Sequence, residues 1–336
     1  MNALVSATFL LAMPLLACAH PDCAVAQEAG QPFILEATIP LNEVSGRIDH
    51  LAVDLARRRL FIAELGNNTA DVIDLDTRQP IYRISELKEP QGVAYVAATD
   101  TVVIANAKDG SVVFFSGADF APLGKLDLGA DADNIRVMGD TGHIVVGYGA
   151  GALAVIDSRS RAKIANIRLA AHPESFQLSR DGARGYVNVP DAKHVAAVDL
   201  RSGNQIAVWP VSNFRSNFPM AIDGSDTTLA VAFRSPARLV LIDTGNGATK
   251  TQLETCGDAD DIFFDSRRNR IYVSCGEGVV DVLEQVGSSL RRLARITSGA
   301  GARTSLFVPE LDRLYVAVRA GTLWGKAAIL VFRPEP

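Results

Sequence analysis

Acidic residues recur next to a histidine, an amide, a small polar residue or a second carboxylate at Asp49-His50, Asp133-Asn134, Glu174-Ser175 and Asp260-Asp261, each pair running straight into an apolar stretch. Carboxylates, an imidazole and an amide meeting at one point could hold a divalent cation, with Asp49, His50, Asp133, Glu174 and Asp261 as its ligands. They could equally act as general acid and base on a bound ester or lactone. Either chemistry needs a fold that gathers residues spread over more than half the chain.

The spacing supplies one. Seven triplets lead into apolar strands: Asp49-His50-Leu51, Gln91-Gly92-Val93, Asp133-Asn134-Ile135, Glu174-Ser175-Phe176, Phe218-Pro219-Met220, Asp260-Asp261-Ile262 and Thr304-Ser305-Leu306, at steps of 42, 42, 41, 44, 42 and 44 residues. A period of about 40–50 residues with several short strands per unit marks a propeller blade, because a lone four-stranded sheet cannot bury both of its faces. Each unit alternates β-branched or aromatic runs with polar turns, as in Ile262-Phe263-Phe264-Asp265, Ser266-Arg267-Arg268-Asn269 and Arg270-Ile271-Tyr272-Val273-Ser274-Cys275. The last unit supplies only three strands, and Phe33–Ile39 is a strand without a unit. The predicted fold is therefore an all-β, seven-bladed β-propeller over residues 33–336, its ring closed by the N-terminal strand completing blade seven.

In that fold the triplets form two polar rings at one channel mouth. Two long loops open on the same face and carry Arg215 and Trp324, while Arg303 precedes the seventh triplet. The predicted ligand-binding set is Asp49, His50, Gln91, Asp133, Asn134, Glu174, Arg215, Asp260, Asp261, Arg303 and Trp324. Asp, Asn and Ser at strand starts also accept hydrogen bonds from turn amides and lock loops without doing chemistry, so both readings stay open.

The runs Gly46-Arg47-Ile48-Asp49-His50-Leu51-Ala52-Val53-Asp54, Glu89-Pro90-Gln91-Gly92-Val93, His172-Pro173-Glu174-Ser175-Phe176 and Asp258-Ala259-Asp260-Asp261-Ile262 resemble the YVTN-type (YncE-like) exported bacterial β-propellers. Tyr272-Val273-Ser274-Cys275 loosely matches the motif that names the family. The resemblance implies the fold over 33–336 and names no reaction, because the family is defined by repeats.

Residues 1–26 lack Lys and Arg, contain the apolar run 9–17 and end in Ala24-Val25-Ala26, which reads as a secretory signal too short and Pro-interrupted to span a membrane. Leu15-Leu16-Ala17-Cys18 offers an alternative, a chain lipid-anchored through Cys18. The protein is expected in the periplasm or secreted, as a monomer. Cleavage leaves Cys256 and Cys275, an even pair in an exported chain, with a disulfide as the favoured state and free thiols or a two-Cys metal site as alternatives. A net charge of −5 and a pI near 5.6 argue against sequence-independent nucleic-acid binding. Serine-hydrolase elbows, Cys-x-x-Cys and His-Glu-x-x-His motifs and phosphate-binding loops are absent from the sequence. The leading expectation is a non-catalytic propeller binding a small ligand, peptide or protein at the mouth. The alternative is a metal-assisted lactonase or esterase using the mouth carboxylates and His50.

Overall fold

The computed structural model describes residues 31–321 and 325–336. Residues 1–26, expected to be a signal, Cys18 among them, and Trp324 of the predicted ligand-binding set lie outside the described residues.

The described residues form seven four-stranded antiparallel sheets, spanning 51–84, 90–127, 132–168, 176–210, 215–254 and 259–297, with the seventh built from 305–334 and 33–40. In the seventh, β1 (Phe33–Pro40) pairs with β28 (Ala328–Pro334), then β27 (Arg313–Val318) and β26 (Ser305–Val308). The first strand therefore closes the ring. Strand outlines follow from β-branched and aromatic content, and turns follow from aspartates that accept backbone amides. Asp54 receives the N–H groups of Ala56 and Arg57, and Asp199 those of Arg201 and Ser202, so each turn is fixed by a local carboxylate.

Apolar residues fall into seven clusters, one between each pair of neighbouring blades, including the seam between blades seven and one. The core is thus a ring of interfaces. At the seam between blades six and seven, Phe33 of the closing strand sits 4.7 Å from the Tyr272 ring. Closure is reinforced by Glu36, which pairs with Arg78 of blade one and Arg313 of blade seven.

Cys256 and Cys275 are joined in a disulfide, Cα–Cα 5.9 Å, buried in the cluster between blades five and six. No helix among the described residues is long and apolar enough to cross a membrane.

Candidate functional site

The innermost strands are β2 (Leu51–Asp54), β6 (Pro90–Val96), β10 (Ala132–Val137), β14 (Phe176–Leu178), β18 (Arg215–Ile222), β22 (Ala259–Asp265) and β26. In blades one, four and seven the triplet sits at the strand start, as its polar-to-apolar pattern predicts. In blades two, three, five and six the strand begins earlier. There the triplet falls in a register break, between Pro90 and Val93, Ala132 and Ile135, Asn217 and Met220, and Ala259 and Asp261. A bulge frees side chains from the regular alternation and re-aims them, here around the channel axis. Close backbone approach follows: a Cβ on Gly92 would collide with the carbonyl oxygen of Asp133 in the next blade.

At this upper mouth the charges largely satisfy one another. Asp260 is held between Arg234 and Arg303, the latter at 2.9 Å, and both guanidiniums also reach Asp258. Arg234 lies 4.1 Å over the Phe218 ring. Arg47 donates to Asp49 Oδ2 at 2.8 Å. Arg215 is exposed at the start of β18, and Gln91 contributes its backbone oxygen to the His50 amide.

Deeper in, Asp49, Asp133 and Asn134 are 3%, 6% and 3% exposed, and Asp133 Oδ1 and Asn134 Oδ1 are buried without a hydrogen-bond partner. His50 Nδ1 stands 3.0 Å from Asp49 Oδ1, an ion-pair distance, but is not aligned as a hydrogen bond. Burial alone would discharge this imidazole, yet the Asp49, Asp133 and Asp261 carboxylates outweigh it and raise its pKa to about 10. Burial raises the other carboxyls, helped by like charges: Asp133 to about 7 beside Asp49 and Glu174, Glu174 to about 7 beside Asp260 and Asp49, and Asp261 to about 7 beside Asp260. Asp260 is also raised, chiefly by burial. Asp49 is held low by His50, Arg47 and Arg303 against its own desolvation. Among the described residues no three His, Cys, Asp or Glu side chains stand where one cation could be held, so the five proposed metal ligands share a mouth but not a coordination point.

The space lies below the rings. A cavity of about 550 Å³ occupies the channel, with His50, Asp261 and Ser305 at its upper limit and Tyr95, Ser266 and Pro309 towards the lower end. Position two of the repeat reaches it, and so does position four. All seven residues of that fourth ring line the cavity: Ala52, Ala94, Arg136, Gln177, Ala221, Phe263 and Phe307. Two-residue alternation along a strand carries position two on to position four, and positions three and five reach the cavity in five blades each. Three alanines leave the volume open, two phenylalanines supply an apolar wall, and Arg136 beside Gln177 supplies polarity. Arg136 and Gln177 are absent from the sequence-predicted set. Reading the repeat two residues further would have found them, because arginine departs sharply from alanine and phenylalanine at the equivalent positions.

The other described histidines make their contacts outside the polar rings. His172 Nδ1 lies 2.7 Å from the Gly149 carbonyl, His194 Nδ1 lies 3.2 Å from the Ala192 carbonyl, and His143 sits by Asp157 at a lower-end turn.

Among solved structures the chain resembles seven-bladed propellers of the WD40 kind. A chain of the structure described as "Crystal Structure of Mitotic Checkpoint Complex" superposes with a TM-score of 0.78 at 13% identity, covering 98% of this chain and 99% of that one. The "Crystal structure of RRP9 WD40 repeats" gives 0.76 at 9% identity, covering 91% and 98%. A chain of Kuenenia stuttgartiensis hydrazine synthase gives 0.72 at 15% identity, covering 82% and 94%. At these identities the likeness defines the fold alone. No family model matches the chain, and no curated protein matches it in sequence.

Proposed function

We propose that the protein is an exported, non-catalytic binding propeller that takes a small molecule into its central channel. The observation that carries this reading is the open cavity of about 550 Å³ beneath a desolvated polar ring with unpartnered acceptors. That size and mixture, mostly apolar wall with a few convergent polar groups, suits a small-molecule site. The upper mouth is the weaker docking surface because Arg234, Arg303, Asp258 and Asp260 already neutralise one another. Entry from the lower end fits that division. A metal-assisted hydrolase needs three ligands on one open point, which the described residues do not provide.

Export rests on residues 1–26 and is supported by the buried disulfide, a bond favoured in oxidising compartments. Affiliation with the YVTN-type exported propellers rests on the sequence runs that resemble them. The test is a thermal-shift screen of small metabolites against wild type and Ala52→Trp, which fills the channel. A ligand at 100 times its Kd should stabilise wild type by about 2.7 kcal/mol and leave the filled variant unchanged. Equal shifts in both proteins would place binding elsewhere.

A further inference from the structure

Resting on the channel reading, we infer that the ligand carries a carboxylate head, seated against Arg136, on an apolar body that runs along the channel wall. Arg136 lines the cavity with its guanidinium attracted through space by Asp261 and Asp133 but in direct contact with neither. Its Nη1 donates to the Ile135 carbonyl at 2.8 Å and its Nη2 to Ser175 Oγ at 3.4 Å, so two of five N–H donors are engaged, one of them weakly. Among the described residues it forms no ion pair, whereas Arg47, Arg234 and Arg303 at the upper mouth each hold a carboxylate. The half-buried guanidinium lies 5.5 Å over the Phe176 ring.

A cation in such a place is costly unless something pairs with it. The planar guanidinium fork matches a carboxylate with two parallel hydrogen bonds, which an alcohol or an ammonium cannot make. His50, at the upper limit of the same cavity, already stands 3.0 Å from the Asp49 carboxylate. Asp261 is the one carboxylate lining this space, and its Oδ2 already accepts the Ser305 amide at 2.7 Å. Across the channel, half-buried Phe263 and buried Phe307 offer apolar surface to the body of the ligand. An ammonium head seated against Arg136 would face like charge.

Calorimetric titration of the purified protein with octanoate, octylammonium and octanol tests this. Octanoate should bind, with the amine and the alcohol at least about 10-fold weaker. Arg136→Gln should weaken octanoate by about 10- to 100-fold, the range for a hydrogen bond to a charged group, while Arg136→Lys should lose less. Ala52→Trp should abolish all binding. Should Arg136→Gln not fold, the wild-type order of the three probes decides the matter alone. Octanol or octylammonium binding as tightly as octanoate, and lost in Ala52→Trp, overturns the carboxylate head and leaves the channel reading standing. Binding that survives Ala52→Trp, or none of the three binding, overturns both.

Discussion

The disulfide offers the most quantitative test of how the ring is held. Cys256 and Cys275 are separated by 19 residues, and both are essentially unexposed in the cluster between blades five and six. On the chain-entropy model, cross-linking a loop of that length removes about 11 cal/mol/K from the unfolded ensemble, worth about 3 kcal/mol at 25 °C. The double replacement Cys256→Ala, Cys275→Ala should lose that amount plus a small packing term. Given an unfolding entropy of about 0.6 kcal/mol/K for a domain of this length, the melting temperature should fall by about 5 °C. The double serine variant should lose a further ~1–3 kcal/mol for each hydroxyl left unpaired in this apolar setting. Guanidinium titrations of oxidised wild type, reduced wild type and both variants separate the terms. The reasoning fails if reduced wild type is as stable as oxidised while the alanine variant is not, since packing rather than the cross-link would then account for the loss.

Four further predictions concern the rings and the core. Asp133, Glu174 and Asp261, raised to about 7, retain protons in the folded state that the unfolded chain releases. Their contribution is therefore full below about pH 4 and is lost as pH rises through 7. His50, raised to about 10, contributes fully below its unfolded value of 6.5 and loses that contribution as pH rises through 10. Melting temperature should fall steadily from about pH 5 to about pH 9, and a rise across that span would contradict the assignment. Glu64, fully buried with Oε1 unpartnered, is pushed up to about 8 by desolvation and Asp71, so Glu64→Gln should raise the melting temperature more at pH 9 than at pH 5. Tyr272→Phe removes a buried 2.5 Å hydrogen bond to Asp265 and should cost about 1–3 kcal/mol in a denaturant titration. Gly92→Ala should prevent normal closure between blades two and three, giving insoluble or strongly destabilised protein, because the added carbon meets backbone rather than a movable side chain.

Blade count, ring closure and the disulfide were legible because each follows from repetition or pairing. A triplet every 42 or so residues can be counted, the orphan strand at Phe33 has one vacancy to fill, and two cysteines have one way to join. Site assignment was harder. Asp260 and Arg303 look like ligand-binding groups in sequence, yet they pair with each other at 2.9 Å across neighbouring blades. Their mutual neutralisation depends on side-chain reach between units, which spacing along one chain does not encode. Asp133 and Asn134 sit in a bulge, so their aim departs from the strand alternation that sequence reading assumes. Arg136 was hidden for the opposite reason: it obeys the alternation, two residues beyond the polar ring, where the eye expects only core.

The pairing of β1 with β28 also sets an order of events in time. Among the described strands β1 is made first, yet its partner β28 is made last, with Phe33 opposite Pro334. Throughout that interval β1 is an unpaired edge, and Ile34 and Leu35 remain 44% and 51% exposed even after closure. An exposed, apolar edge is a template for association with other chains. The strand that completes the ring is thus the one with the longest wait, and chains lacking β28 should aggregate through it rather than circulate as six-bladed proteins.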